Sequence, residues 1–190
     1  NTMSFEYIKL LPTPDEIRVQ YPLPAKLIEL KRRRDAEIRS VITGDSNKFL
    51  VIIGPCSADN EDAVCDYVTR LSKLNEKVKD KLILIPRIYT NKPRTTGDGY
   101  KGIIHQPDPN KKEDFLAGII AMRKMHIRAI EESDLTCADE MLYPENWGYV
   151  STILSYVAIP LCEKWLATTI VCSSTIFLFL ISSTSSKKTS

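Results

Sequence analysis

Hydrophobic residues along this chain fall into short unbroken runs separated by stretches of helical spacing. Three runs, 49–53, 82–88 and 136–141, read as strands buried on both faces, the first two apolar at nearly every position rather than alternating. Each run leads into a segment with helical periodicity, at 61–79, 113–133 and 145–156. Strands that alternate with helices predict an α/β fold, a parallel sheet with right-handed crossovers. Upstream, 24–43 reads as a helix: Leu27, Ile28, Leu30, Ile38, Val41 and Ile42 give a loose apolar stripe, and Gly44 supplies a stop. The first residues, up to Leu23, are punctuated by Pro12, Pro14 and Pro22 and read as an extended arm with at most short structure. One segment breaks the rhythm. Residues 90–112 show no period, and they follow the C-terminal end of a strand, where parallel α/β folds keep their chemistry.

At Ala158-Ile159-Pro160 the pattern changes again. From Trp165 to Ser186 there is no charged residue, and the end is rich in Ser and Thr. The 17 residues 165–181 include five Ser or Thr, too polar and too short for a comfortable membrane span. The expectation is three units: an N-terminal extension at 1–47, a βα unit at 48–159, and a tail at 160–190 that does not belong to the fold before it.

Composition adds exclusions. The 190 residues are 43% hydrophobic and 26% charged, ordinary for a globular protein with a real core. A net charge of +2 gives no basic field of the kind that binds nucleic acid. Five cysteines, at 56, 65, 137, 162 and 172, form no C-x-x-C pair and no zinc spacing. Scattered cysteines without a signal peptide point to a reducing, cytoplasmic setting. The Lys31-Arg-Arg-Arg34 run reads as a solvated helix face.

The candidate chemistry sits at two strand ends. Gly54-Pro55-Cys56-Ser57 closes the first apolar run, and Arg87 followed by Lys92-Pro93-Arg94-Thr95-Thr96 closes the second. Arginine presents a planar fork suited to carboxylate and phosphate, lysine a mobile point charge. On composition alone these cations are either a site for an anionic substrate or an ordinary surface loop. Cys56 is either a small buried hydrophobe or a thiolate metal ligand. His105 and His126, the two histidines, have no ligand spacing to it, so composition establishes no metal. Glu140, at the end of the third run, either orients a water, pairs with Lys92, or forms an ion pair with no catalytic role.

Together these segments resemble the 3-deoxy-D-arabino-heptulosonate 7-phosphate (DAHP) synthases, type I with an N-terminal extension. The resemblance is carried by Val51-Ile-Ile-Gly-Pro-Cys-Ser57, Arg87 with Lys92-Pro-Arg-Thr-Thr96, Gly102-Ile-Ile-His-Gln-Pro-Asp-Pro109 and Ala138-Asp-Glu-Met-Leu-Tyr-Pro-Glu-Asn-Trp-Gly148. The related octulosonate phosphate synthases carry Lys-Ala-Asn-Arg where this chain has Lys92-Pro93-Arg94. The resemblance implies a (β/α)8 barrel, of which the first three to four βα units are present. It implies an aldol-like condensation of phosphoenolpyruvate with erythrose 4-phosphate, the first step of the shikimate pathway. It makes Cys56 a ligand of a divalent metal that polarises the aldehyde. Arg87 and Glu140 would then face phosphoenolpyruvate, Lys92 would act between the two substrates as the catalytic group, and Lys92, Pro93, Arg94 and Thr95 would line the substrate site. A homo-oligomer and feedback by an aromatic amino acid are further implications.

The chain departs from that pattern after Ile159, where the family continues Gly-Ala-Arg and this chain has Pro160-Leu161-Cys162. That arginine and the later metal ligands have no counterpart, and no histidine follows His126. The expectation is a truncated synthase that binds metal weakly and makes no product. The alternative is a non-catalytic fragment that associates with intact synthase subunits.

Overall fold

The computed structural model describes residues 10–92, 94, 98–141, 144–158, 169–172 and 176–181. Helix α1, Pro14–Gln20, is a short helix in the segment read as an arm with at most short structure. Thr13 caps it: its hydroxyl accepts from the Glu16 N–H at 3.3 Å, while the Glu16 carboxylate accepts from the Thr13 N–H at 2.7 Å. Ile17 is fully buried beneath it. The arm is therefore docked, and Tyr149 donates its hydroxyl to the Pro12 carbonyl at 2.9 Å.

Helix α2, Ala25–Ile42, ends before Gly44 as expected. Only part of the stripe is buried, since Ile28 and Ile42 are exposed. No side chain caps its N-terminus. Burial of Ile38 and Val41 contributes about 1.5–3 kcal/mol each, against about 1 kcal/mol for a typical cap, so packing holds this helix. The basic run does not stay in solvent. Arg32 pairs with Glu29 on the surface, but Arg34 turns inward and donates to the Leu84 carbonyl at 2.6 Å. The reason is register: Arg34 lies four residues before Ile38, on the same buried face.

Strand β1, Phe49–Pro55, is followed by α3, Glu61–Val78, and β2, Leu82–Pro86, by α4, Phe115–Ser133. Asn60 and Asp114 cap the two helices through side-chain oxygens that accept from Ala63 and Ala117. Strand β3 is Ala138–Glu140. The helix expected over 145–156 is not formed. A 3-10 turn, Pro144–Asn146, runs into the four-residue α5, Trp147–Val150, and Tyr156–Ala158 is a fourth strand, β4. Pairing wins over local periodicity here: β4 runs parallel to β3, and the Ser155 N–H donates to the Cys137 carbonyl at 3.0 Å.

Strands β1 and β2 are parallel, and a single parallel bridge, Arg87 to Ala138, joins β2 to β3. The order β1-β2-β3-β4 thus follows the chain, with α3 and α4 as crossovers, as the sequence pattern predicts. The backbones of β5, Thr169–Cys172, and β6, Ile176–Ile181, form an antiparallel pair, and β6 lies antiparallel on the free side of β1. Both faces of β1 and β2 are buried. Leu50, Ile52, Ile83 and Ile85 meet Ile38 and Val41 of α2, while Val51 and Leu84 meet Leu71 and Leu135. This two-sided burial explains the unbroken apolar runs. Among the described residues no helix is long and apolar enough to cross a membrane.

Candidate active site

The C-terminal ends of β1, β2 and β3 point the same way, and their next residues carry the chemistry. The approach of β1 to β2 depends on Gly54. A Cβ there would lie 1.9 Å from the Arg87 carbonyl oxygen, so a larger residue would push the strands apart. The contact continues past the ladder: Arg87 N–H donates to Ile53 O at 2.8 Å, and Ala58 N–H to Tyr89 O at 3.0 Å. Cys56 and Arg87 are thereby fixed side by side on neighbouring strand ends.

Arg87 is almost wholly buried, at 3% side-chain exposure. Its Nε donates to Glu140 Oε1 at 2.5 Å and its Nη1 to the Pro55 carbonyl at 2.9 Å. Its guanidinium lies 4.7 Å from the centre of the Tyr89 ring. Carboxylate, carbonyl and ring leave this cation one orientation, with Glu140 on β3 as counter-charge. Glu140 pairs with Arg87, where the sequence suggested Lys92.

Lys92 and Arg94 stand on the loop after β2. Lys92 Nζ donates to Cys56 Sγ at 2.5 Å. Arg94 donates to Ser57 Oγ at 2.7 Å and pairs with Asp59. The hydrogen bond that Arg94 donates to Asp59 raises the guanidinium pKa above the ordinary arginine value. Its Cζ lies 5.6 Å from the centre of the Tyr100 ring. The loop then turns at Gly102, whose φ of +85° suits glycine and where a Cβ would lie 3.4 Å from the Arg94 stem. Arg94 Nε and the Tyr100 hydroxyl are both buried without a hydrogen-bond partner among the described residues. Pro93 and Thr95 lie outside the described residues.

The structure thus brings Cys56, Arg87, Lys92, Arg94 and Glu140 to one mouth. It also adds Asp59 and Tyr100, which sequence reasoning missed. Asp59 had a usable signal, an acid three residues past Cys56 in a turn facing a cationic loop. The histidines go elsewhere. His105 packs its ring 5.3 Å from that of Phe115, and His126 is buried against Asp139. Among the described residues no group of three or more His, Cys, Asp or Glu stands together to hold a metal ion.

A parallel βα array with fixed cations at the C-terminal ends of its strands is the arrangement of α/β barrel enzymes that handle anionic substrates. Comparison with known proteins narrows the class. The DAHP synthetase I family matches residues 24–164, and the chain belongs to that family, whose fold is a (β/α)8 barrel. It is 35% identical over 150 residues to the phenylalanine-inhibited phospho-2-dehydro-3-deoxyheptonate aldolase of Saccharomyces cerevisiae, covering 78% of this chain and 40% of that protein. The Tyr-sensitive enzyme of the same name from Escherichia coli K12 is 31% identical over 151 residues, 80% of this chain and 42% of its own length. The solved phospho-2-dehydro-3-deoxyheptonate aldolase of Francisella tularensis superposes with a TM-score of 0.72 at 28% identity, covering 82% of this chain and 45% of that one. The chain therefore spans about two fifths of the length of the curated relatives it matches.

Proposed function

We propose that this chain supplies the β1-to-β3 part of a 3-deoxy-7-phosphoheptulonate synthase site, which condenses phosphoenolpyruvate with erythrose 4-phosphate. The observation that carries the reading is the convergence of Arg87, Lys92 and Arg94 on one strand-end mouth, each held by a neighbour from another element. Arg87, oriented before any ligand arrives, binds the anionic groups of phosphoenolpyruvate, and Glu140 keeps its fork in plane. Lys92 stands over Cys56 and reaches between the substrates to offset charge or deliver a proton. Arg94 and Thr95 take the erythrose phosphate, with Pro93 stiffening the backbone between Lys92 and Arg94. In the free chain Asp59 occupies part of Arg94, so a phosphate must share or displace that carboxylate. Fixed cations of this kind hold together two anions that otherwise repel.

The divalent ion implied by the resemblance would find one donor here, the Cys56 thiol. The described residues do not make a site for it alone. The relatives are named for inhibition by, or sensitivity to, phenylalanine, tyrosine and tryptophan. An aromatic amino acid is therefore the regulator to test, in a cytoplasmic homo-oligomer.

The test is titration of phosphoenolpyruvate into the purified chain, beside an assay for product with erythrose 4-phosphate and manganese. Saturable binding without product is expected. No binding at millimolar ligand removes the reading, and product formation shows that this chain is catalytically sufficient.

A further inference from the structure

We propose that Asp139 is a positioning residue whose carboxylate, held by His126, sets where Lys92 and Glu140 stand at the mouth of the sheet. Backbone pairing between β2 and β3 is slight: the Arg87–Ala138 bridge and one bond from Ile88 N–H to Ala138 O at 2.8 Å. Beyond it the strand ends must be joined by something else. Asp139, at 1% exposure, does this with its side chain. Its Oδ1 accepts from the Thr90 N–H at 3.0 Å and from the Glu140 N–H at 2.7 Å. Its Oδ2 accepts from the Thr90 hydroxyl at 2.5 Å and from His126 Nε2 at 3.0 Å. A carboxylate thus takes the place of a ladder carbonyl, with an end of each strand on the same oxygen.

The bonds have a fixed direction. A carboxylate only accepts, so His126 carries its proton on Nε2. Its Nδ1 is buried without a hydrogen-bond partner among the described residues, so Asp139 is the polar anchor of the ring. On the other side the Asn146 amide donates to Asn91 Oδ1 at 2.8 Å, and the Asn91 amide donates to Thr90 Oγ1 at 2.9 Å. The Thr90 hydroxyl, already accepting, has its own proton left for Asp139. All five side chains lie in residues no more than 4% exposed, where an unmade hydrogen bond is expensive, so the array holds as a unit.

What it holds is the site. Lys92 is two residues past Thr90 and reaches Cys56 just past β1, and Glu140 adjoins Asp139 and reaches Arg87. The inference rests on the proposed function only for what these two groups act on, and their placement can be read without substrate. The readout is the yield of the Lys92–Cys56 crosslink formed by succinimidyl iodoacetate, an amine-to-thiol reagent of short span, mapped by mass spectrometry.

Asp139→Asn and Thr90→Val are each expected to lower that yield about fivefold, the equilibrium weight of one hydrogen bond, while thermal unfolding stays cooperative. Thr90→Ser, which keeps the hydroxyl, should restore it. If Asp139→Asn does not fold, the Thr90 pair decides. Wild-type yield in folded Thr90→Val, or loss in Thr90→Ser equal to that in Thr90→Val, overturns the proposal. A wild-type chain that fails to bind phosphoenolpyruvate but shows this crosslink pattern keeps Asp139 as a positioning residue and loses only the substrate reading.

Discussion

Two buried arginines meet the same sheet and do different work. Arg87, at the C-terminal end of β2, has a carboxylate, a carbonyl and an aromatic face arranged around it. Arg34, reaching in from α2 to the middle of β2, has the Leu84 carbonyl and a longer contact to Glu37 at 3.2 Å, and its Nε is unpartnered among the described residues. Burial lowers the affinity of Arg34 for its proton, an effect the neighbouring Glu37 only partly offsets. A buried charge surrounded by designed partners at a strand mouth marks a site. A buried charge with sparse partners mid-strand marks a structural tie that hydrophobic packing can replace. The difference is one of supporting residues, since exposure is low in both.

Substitution is the strongest way to break this contrast. Arg87→Met leaves the partly buried Glu140 without its guanidinium, at an expected cost of about 3 kcal/mol in stability. It should also weaken phosphoenolpyruvate binding by about tenfold to a hundredfold, the weight of one charge-assisted hydrogen bond. Denaturant unfolding and ligand titration read the two effects separately, and unchanged affinity in a folded variant would remove Arg87 from the site. Arg34→Met should cost less, about 1–2 kcal/mol for the bond to Leu84, with affinity unaltered. Any loss of ligand binding in that variant would erase the distinction between the two residues.

A third test extends the contrast from buried bases to a buried acid. Burial pushes the Cys65 thiol up to about 11 from 9.0. The folded state thus favours the neutral thiol. The stability this contributes is fully present below pH 9 and is lost as pH rises through 11. Its size is on the order of 2 kcal/mol. Half-buried tyrosines such as Tyr67 and Tyr156 shift in the same direction, through partial burial, and add to the fall. Urea midpoints at pH 8 and pH 11 should differ, and Cys65→Ala should flatten the difference. An equal slope in Cys65→Ala would show that this thiol plays no part.

Much of the frame was legible along the chain. The β1 and β2 runs are apolar at successive positions because both faces are buried, and α3 and α4 begin where Asn60 and Asp114 cap them. The capping box of α1 was equally legible as Thr13-Pro-Asp-Glu16, yet the surrounding prolines suggested an extended arm. Strand β4 was not legible, because three residues carry too little period and their partner β3 supplies the hydrogen bonds. At the site the cations and Cys56 could be named from motifs, but Asp59 and Tyr100 become visible only where the loop folds back on β1.

Along the linear chain one could already see that β1 and β2 are strands buried on two sides, which residues carry fixed charge, and that charge and thiol fall at strand ends. These follow from local periodicity and side-chain chemistry, properties a linear chain carries. The folded chain alone reveals which carboxylate partners which cation, that Arg34 is buried while Arg32 is not, and that His126 meets Asp139 and, through it, Thr90. Those contacts join residues 13 to 53 positions apart. Over such separations no sequence period specifies a neighbour, and hydrogen-bond satisfaction in the closed core makes the choice.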